Sequence, residues 1–276
     1  MKLALCNEVL RHLPFERQCE AAAAIGCQGL ELAPFTLAGD PFTLDDAAAA
    51  ALRHSAAAQG LQISSLHWLL VQPPGLSIAT PNTAVRARTL QLLQRLIGFA
   101  AACGAGVLVH GSPAQRSPQA GQTLADALAR CEDAWAQLAG HAQAAGLTYC
   151  IEPLSPAETP VVNTLAQAGA LVDRIGSPAL RTMFDLSAAS QAETEPPHVV
   201  LSRHLAAGHV AHVQLNDRNR RGPGQGSTPV APVLRVLQRH AWAGWVALEP
   251  FDYHPEPLAC AAASAAYVRG AWHALS

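Results

Sequence analysis

The sequence is short of charge and has no excess of either sign. Charged residues make up 14% of the chain, and the formal net charge is −2. Nucleic-acid binders normally present a basic face, so this balance argues against one, even though Arg218 to Arg221 forms a local basic patch. The cysteines never form a CxxC pair. All seven (Cys6, Cys19, Cys27, Cys103, Cys131, Cys150 and Cys260) are scattered, mostly in apolar or Ala-rich surroundings. An odd, scattered set argues against a disulfide framework and for buried, reduced thiols in a reducing compartment. No basic region, apolar stretch and cleavage site of a signal peptide precede the strand-like Leu3-Ala4-Leu5-Cys6. Long uncharged runs of Leu, Ile, Val and Phe are missing too. The expectation is a soluble cytoplasmic protein without a nucleic-acid or membrane partner, with homo-oligomer formation left open.

What the chain does have is a repeated phrase. An Ala/Leu-rich helical stretch ends near a Gly, and a short apolar strand follows. The strands read Lys2 to Cys6, Gly29 to Leu32, Leu61 to His67, Val107 to His110, Tyr149 to Glu152, Leu180 to Asp185, Val210 to Gln214 and Trp245 to Glu249. The preceding glycines are Gly26, Gly60, Gly104, Gly146, Gly176, Gly208 and Gly244. Gly readily takes the left-handed conformation that closes a helix. Apolar runs of four to seven residues suit strands buried on both faces. Strict alternation implies right-handed crossovers and a parallel sheet. Such a chain of 276 residues is expected to close into one α/β domain over residues 1–276, a (β/α)8 TIM barrel. An open doubly wound sheet is the alternative, but no GxGxxG follows the first strand.

Polar residues stand where these strands end: Asn7 and Glu8, Glu31, His67, His110, Glu152, Asp185, Gln214 and Glu249. Burying apolar strands does not require them. A barrel's C-terminal rim is small, and unpaired carboxylates crowded there repel one another and lose hydration. A divalent cation removes that conflict. Glu152, Asp185, Gln214 and Glu249 come from the last four strands and supply three carboxylates and one amide oxygen. All-oxygen ligation suits Mn²⁺ or Mg²⁺ better than Zn²⁺. Ordinary hydrogen-bonded rim residues remain the alternative reading at this point.

The chain resembles the xylose isomerase-like sugar phosphate isomerase/epimerase superfamily along essentially its whole length. The resemblance rests on Cys6-Asn7-Glu8, Gly29 to Thr36, Leu66-His67-Trp68, Gly111-Ser112-Pro113 with Arg116, Ile151-Glu152-Pro153, Asn216-Asp217, Gly222 to Gly226, and Gly244 to Glu249 followed by Phe251-Asp252-Tyr253. It implies one divalent metal held by Glu152, Asp185, Gln214 and Glu249, with Mn²⁺ or Mg²⁺ preferred over Zn²⁺. Most relatives carry His where this chain has Gln214; hydroxypyruvate isomerases are similar in their His-x-Gln, here His212-Val213-Gln214. A His found in ketose 3-epimerases three residues after the sixth-strand Asp is replaced by Ala188.

The implied chemistry is isomerisation or epimerisation of a sugar or hydroxy-ketone through a metal-stabilised enediolate, with Glu152 and Glu249 moving the proton. A lyase or dehydratase acting on a keto-sugar or keto-inositol, and a non-catalytic sugar-binding barrel, are the competing readings. Abasic-site endonucleases need many more His ligands than this rim offers. The partner is expected to be a small-molecule carbohydrate. Substrate-binding candidates are His67, Glu31, His110, Arg116, Arg220, Arg221 and Trp68. His212 is out of phase with its neighbours and is expected to face the helix layer. The loop Gly222 to Gly226 is a candidate phosphate cradle, though it lacks a Walker-type Lys. Trp245, at the start of its strand, is expected to serve packing.

Overall fold

Strands apolar on both faces need cover on both, and a parallel sheet gets it when helices wrap one face and the other closes on itself. The computed structural model, which describes residues 1–275, has that form. Its strands are β1 (Lys2–Cys6), β2 (Gly29–Leu32), β3 (Gln62–Leu66), β4 (Val107–His110), β5 (Thr148–Ile151), β6 (Leu180–Asp185), β7 (Val210–Leu215) and β8 (Trp245–Leu248). They pair in parallel in chain order, and β8 returns to β1 to close the barrel. The sequence-derived strands agree with these to within a residue at each end.

The helices are α1 (Phe15–Ala24), α2 (Pro34–Leu37), α3 (Asp46–Ala58), α4 (Thr83–Cys103), α5 (Pro113–Arg116), α6 (Leu124–Ala144), α7 (Leu165–Ile175), α8 (Leu186–Ala192), α9 (Pro197–Ala206), α10 (Ala231–Arg239) and α11 (Pro257–Ala274). The short α2, α5 and α8 follow β2, β4 and β6 directly and build up the C-terminal rim. Local chemistry sets the long ones. Thr123 with Asp126, and Thr164 with Gln167, form reciprocal capping boxes that start α6 and α7. Gly104 (φ 80°) and Gly176 (φ 67°) end α4 and α7 in the left-handed conformation. Gly244 does not play this part. Ala241 (φ 48°) takes the positive φ after α10, and Gly244 instead makes room for the Trp242 ring. No helix among the described residues is long and apolar enough to cross a membrane. The seven cysteines are free and buried, as their surroundings suggest.

Two irregularities in the sheet decide what enters the bore. Between β2 and β3, Leu30 pairs with Ile63 but Glu31 with Ser65, so Ser64 is skipped. Between β6 and β7, Thr182 pairs with Val210 but Met183 with His212, so Ala211 is skipped. Such bulges change which face the following residues point to. His212 therefore points inward, on the same face as Gln214, and is fully buried. This corrects the expectation that it faces the helices. At the opposite end of the barrel Trp245 lies under Lys2 Nζ (5.5 Å from the ring) and against Gly29, where a Cβ would strike the indole. Trp245 is thus a packing residue.

Candidate active site

The strands β5–β8 deliver Glu152, Asp185, Gln214 and Glu249 to the rim, all buried. Asp185 ends β6 and caps α8: its Oδ1 accepts from the Ala188 amide (2.6 Å) and its Oδ2 from Asn216 Nδ2 (2.7 Å). Asn216 in turn accepts from the Ser187 amide (2.8 Å) and donates to the Glu249 carbonyl (3.3 Å), tying β6, β7 and β8 together. Glu152 has no such bonds to its carboxylate. It fits because residue 111 is Gly, since a Cβ there would fall on Glu152 Oε2. Burial raises all three acids. Asp185 is pushed up to about 7 and Glu249 to about 8. Glu152 rises well above the usual carboxylate range by burial and by repulsion from Glu249 and Asp185.

The strands β1–β4 deliver a different set. His67 bridges Glu249 Oε1 through Nδ1 (3.0 Å) and Glu8 Oε2 through Nε2 (3.0 Å). Burial works against its charge, but Glu8, Glu31 and the bonds to Glu249 and Glu8 outweigh burial and raise it well above the ordinary imidazole range. Glu31 lies deeper. Its Oε2 accepts from Ser65 Oγ (2.6 Å) and sits 2.5 Å from His212 Nε2; its Oε1 accepts from Gln214 Nε2 (2.5 Å). Burial would raise Glu31, yet His212 and His67 take it down to about 2.

A solvent-connected cavity of about 230 Å³ opens above Glu152, Asp185 and Glu249, with Trp68, Arg220 and Phe251 among its walls. Arg220 is held over the Phe251 ring, 4.6 Å from its centroid. Several candidates lie away from this cavity. Arg116 is fully buried and donates to the carbonyls of Glu152 (2.7 Å), His110 (3.4 Å) and Val162 (3.4 Å), so it stitches the ends of β4 and β5. His110 turns toward the helices: Nδ1 bonds the Tyr149 hydroxyl (2.7 Å) and the ring meets Trp135 of α6 edge-on. Burial, aided by Arg116, drives His110 down to about 3, a neutral imidazole. Arg221 pairs with Asp252 (2.8 Å). Both oxygens of Glu31 are occupied within the bore. These four are thus placed by protein contacts and not by the cavity, while His67 reaches it through Glu249.

The structure also adds residues. Glu158 and Arg218 line the cavity, Gly111 makes room for the Glu152 carboxylate, and Asn216 fixes that of Asp185. Gly111 and Asn216 stood in the recognised motifs, but nothing in their sequence spacing gave their roles. The Gly-rich loop packs closely on the last helix. Gly222 lies on Ser264 and Cys260, and Gly224 on Tyr267, so these glycines let the loop settle on α11.

A divalent cation fits this donor set on two observations. The Gln214 Oε1 atom is buried without a hydrogen-bond partner. Burial raises three carboxyls that line one cavity, a shift that a cation beside them would oppose. The His, Cys and acidic side chains whose potential ligand atoms all lie within 4.8 Å of one another among the described residues are a different group, Cys6, Glu8, His67 and Glu249. There, however, both His67 nitrogens are already engaged by the two carboxylates, and burial raises the Cys6 thiol well above its ordinary value.

Comparison with known proteins places this geometry in context. The family model described as xylose isomerase-like TIM barrel matches residues 19–270. A probable ketose 3-epimerase of Synechocystis sp. is 27% identical over 68% of this chain and 64% of its own length. An L-ribulose 3-epimerase of Mesorhizobium japonicum is 26% identical over 63% of this chain and 58% of its own. The matched stretch thus spans less than two thirds of either relative. A solved L-ribulose 3-epimerase superposes with a TM-score of 0.85 at 20% identity, covering 99% of this chain and 95% of that one, which establishes the shared fold.

Proposed function

The chain belongs to the xylose isomerase-like TIM-barrel family, and from that premise we propose that it is a metal-dependent isomerase or epimerase of a ketose-like sugar. The observation that carries this reading is the meeting of Glu152, Asp185 and Glu249 beneath an open cavity, with no Lys or Arg bonded to their carboxylates among the described residues. Glu152, Asp185, Gln214 and Glu249 would hold the cation, and their oxygen donors favour Mn²⁺ or Mg²⁺. When bound, it polarises the carbonyl of a sugar that also offers an adjacent hydroxyl.

The chain's own groups do the rest. Glu152 and Glu249 take and return the proton on the carbon beside the carbonyl. Both acids are raised by burial, Glu249 to about 8, the direction that an acid/base pair working near neutral pH requires. His67 fixes the Glu249 carboxylate through Nδ1. Trp68 and Phe251 wall the cavity, and Arg220 over Phe251 offers donors to substrate hydroxyls. The ketose 3-epimerase relatives support a ketose as substrate.

The test is a panel of ketoses, aldoses and keto-sugars in D₂O with Mn²⁺ or Mg²⁺, followed by NMR. Deuterium should enter at the carbon next to the carbonyl of at least one ketose. Glu152→Gln and Glu249→Gln should each slow that exchange by roughly 10²–10⁴-fold. Full exchange in both variants would remove the roles assigned to them.

A further inference from the structure

We propose that Glu31 is a positioning residue that decides which end of the Gln214 amide is presented as a ligand. The inference rests on the metal reading above. An amide is nearly symmetric in shape but not in chemistry: only its oxygen can ligate a cation, while its nitrogen repels one. A neighbour must therefore choose the orientation. Glu31 does so by accepting a 2.5 Å hydrogen bond from Gln214 Nε2. Because the oxygen sits on the other branch of the amide, Oε1 is turned away from Glu31, and it has no hydrogen-bond partner although it is buried.

Glu31 can impose this choice because it cannot move. Its other oxygen is held by Ser65 Oγ (2.6 Å) and lies 2.5 Å from His212 Nε2, and all four side chains are fully buried. The two sheet irregularities that skip Ser64 and Ala211 bring Ser65 and His212 to it. An unpaired buried amide oxygen is destabilising, and a cation at Oε1 would remove that cost. The arrangement parallels metal-bound imidazoles whose second nitrogen is fixed by a carboxylate; here an amide takes the imidazole's part. Glu31 thus acts through Gln214 and not by touching substrate.

The experiment titrates the metal-free full chain with Mn²⁺ and reads free Mn²⁺ by electron paramagnetic resonance. Glu31→Met keeps the side-chain length but cannot accept from Nε2; it should weaken binding by about 10–100-fold. Glu31→Gln, which can still accept, should recover part of the loss. In a Gln214→Ala background Glu31→Met should change nothing further, because its effect passes through Gln214. An unchanged affinity in Glu31→Met, or an equal loss with and without Gln214, would overturn the proposal and leave the metal reading standing. Failure of the unmodified chain to bind Mn²⁺ would overturn both.

Should Glu31→Met not fold, the unmodified protein still decides. Labelled with ¹⁵N-glutamine, it should show one side-chain amide proton shifted strongly downfield, identified by its loss in Gln214→Ala. An ordinary shift for Gln214 would overturn the proposal.

Discussion

Strands β1–β4 bring Glu8, Glu31 and His67 to the rim, and strands β5–β8 bring Glu152, Asp185, Gln214 and Glu249. In the first half every carboxylate meets an imidazole: His67 lies 3.0 Å from Glu8, and Glu31 has His212 at 2.5 Å and His67 at 3.5 Å. Glu31 accordingly stays ionised down to about pH 2. In the second half Glu152 and Asp185 have no cation bonded to them, Glu249 shares His67, and burial raises all three acids. The acids from β1–β4 are thus balanced by imidazoles of the protein, one of them His212 from β7, whereas Glu152 and Asp185 from β5–β8 have no such partner. On the function proposed above, that difference separates acids kept for architecture from acids kept for a ligand.

Removing the cation from the balanced half should break the contrast. His67→Leu leaves Glu8 buried without its partner, and the metal-free protein should lose roughly 3–5 kcal/mol in urea denaturation at neutral pH. A loss below 1 kcal/mol would mean that His67 carries no charge-balancing role. Gly111→Ala attacks the other half. The new Cβ falls on Glu152 Oε2, so turnover should drop on the order of 100-fold with little change in far-UV circular dichroism, because Gly111 has no positive φ.

The two halves should also separate by pH. Asp185 and Glu249 have folded-state values of about 7 and 8, above their ordinary 3.8 and 4.5. Their contribution to stability is complete below the ordinary values and is lost as pH rises through the folded ones. Raised His67 acts in the same direction. Glu31, lowered to about 2, contributes above its ordinary value and loses that only as pH falls toward 2. The metal-free Tm should therefore fall by on the order of 5 °C between pH 5 and 8. Saturating Mn²⁺ should reverse the trend, since it binds the deprotonated acids. A Tm that rises over this range without metal would contradict the assignment. The smallest effect is expected outside both halves. Arg221→Ala removes a solvent-exposed pair with Asp252 and should cost about 0–1 kcal/mol with unchanged KM, whereas Arg220→Ala should raise KM.

Much of this was legible in the residues. Helix-then-Gly-then-strand punctuation located all eight strands, because a parallel strand buried on both faces has to be apolar and a helix has to stop before it. The identity of the strand-end acids was legible for the same reason: nothing in an apolar core calls for them. Which way a polar residue points was less so. His212 was misplaced although its spacing of two from Gln214 puts both on one face; the skip at Ala211 breaks the alternation only with the residues before it, and is a property of pairing with β6. Arg116 and His110 looked like rim residues in sequence, but tertiary contacts turn one onto carbonyls and the other onto Tyr149. Gly111 was visible as part of a motif, yet its reason for being Gly lies on the next strand, in the carboxylate of Glu152.

The most direct test of the account is anomalous scattering from a crystal of the full chain soaked in Mn²⁺. One peak should appear, bounded by oxygens of Glu152, Asp185, Gln214 and Glu249. A peak seated instead on Glu8 and His67, or no ordered peak at all, would contradict it.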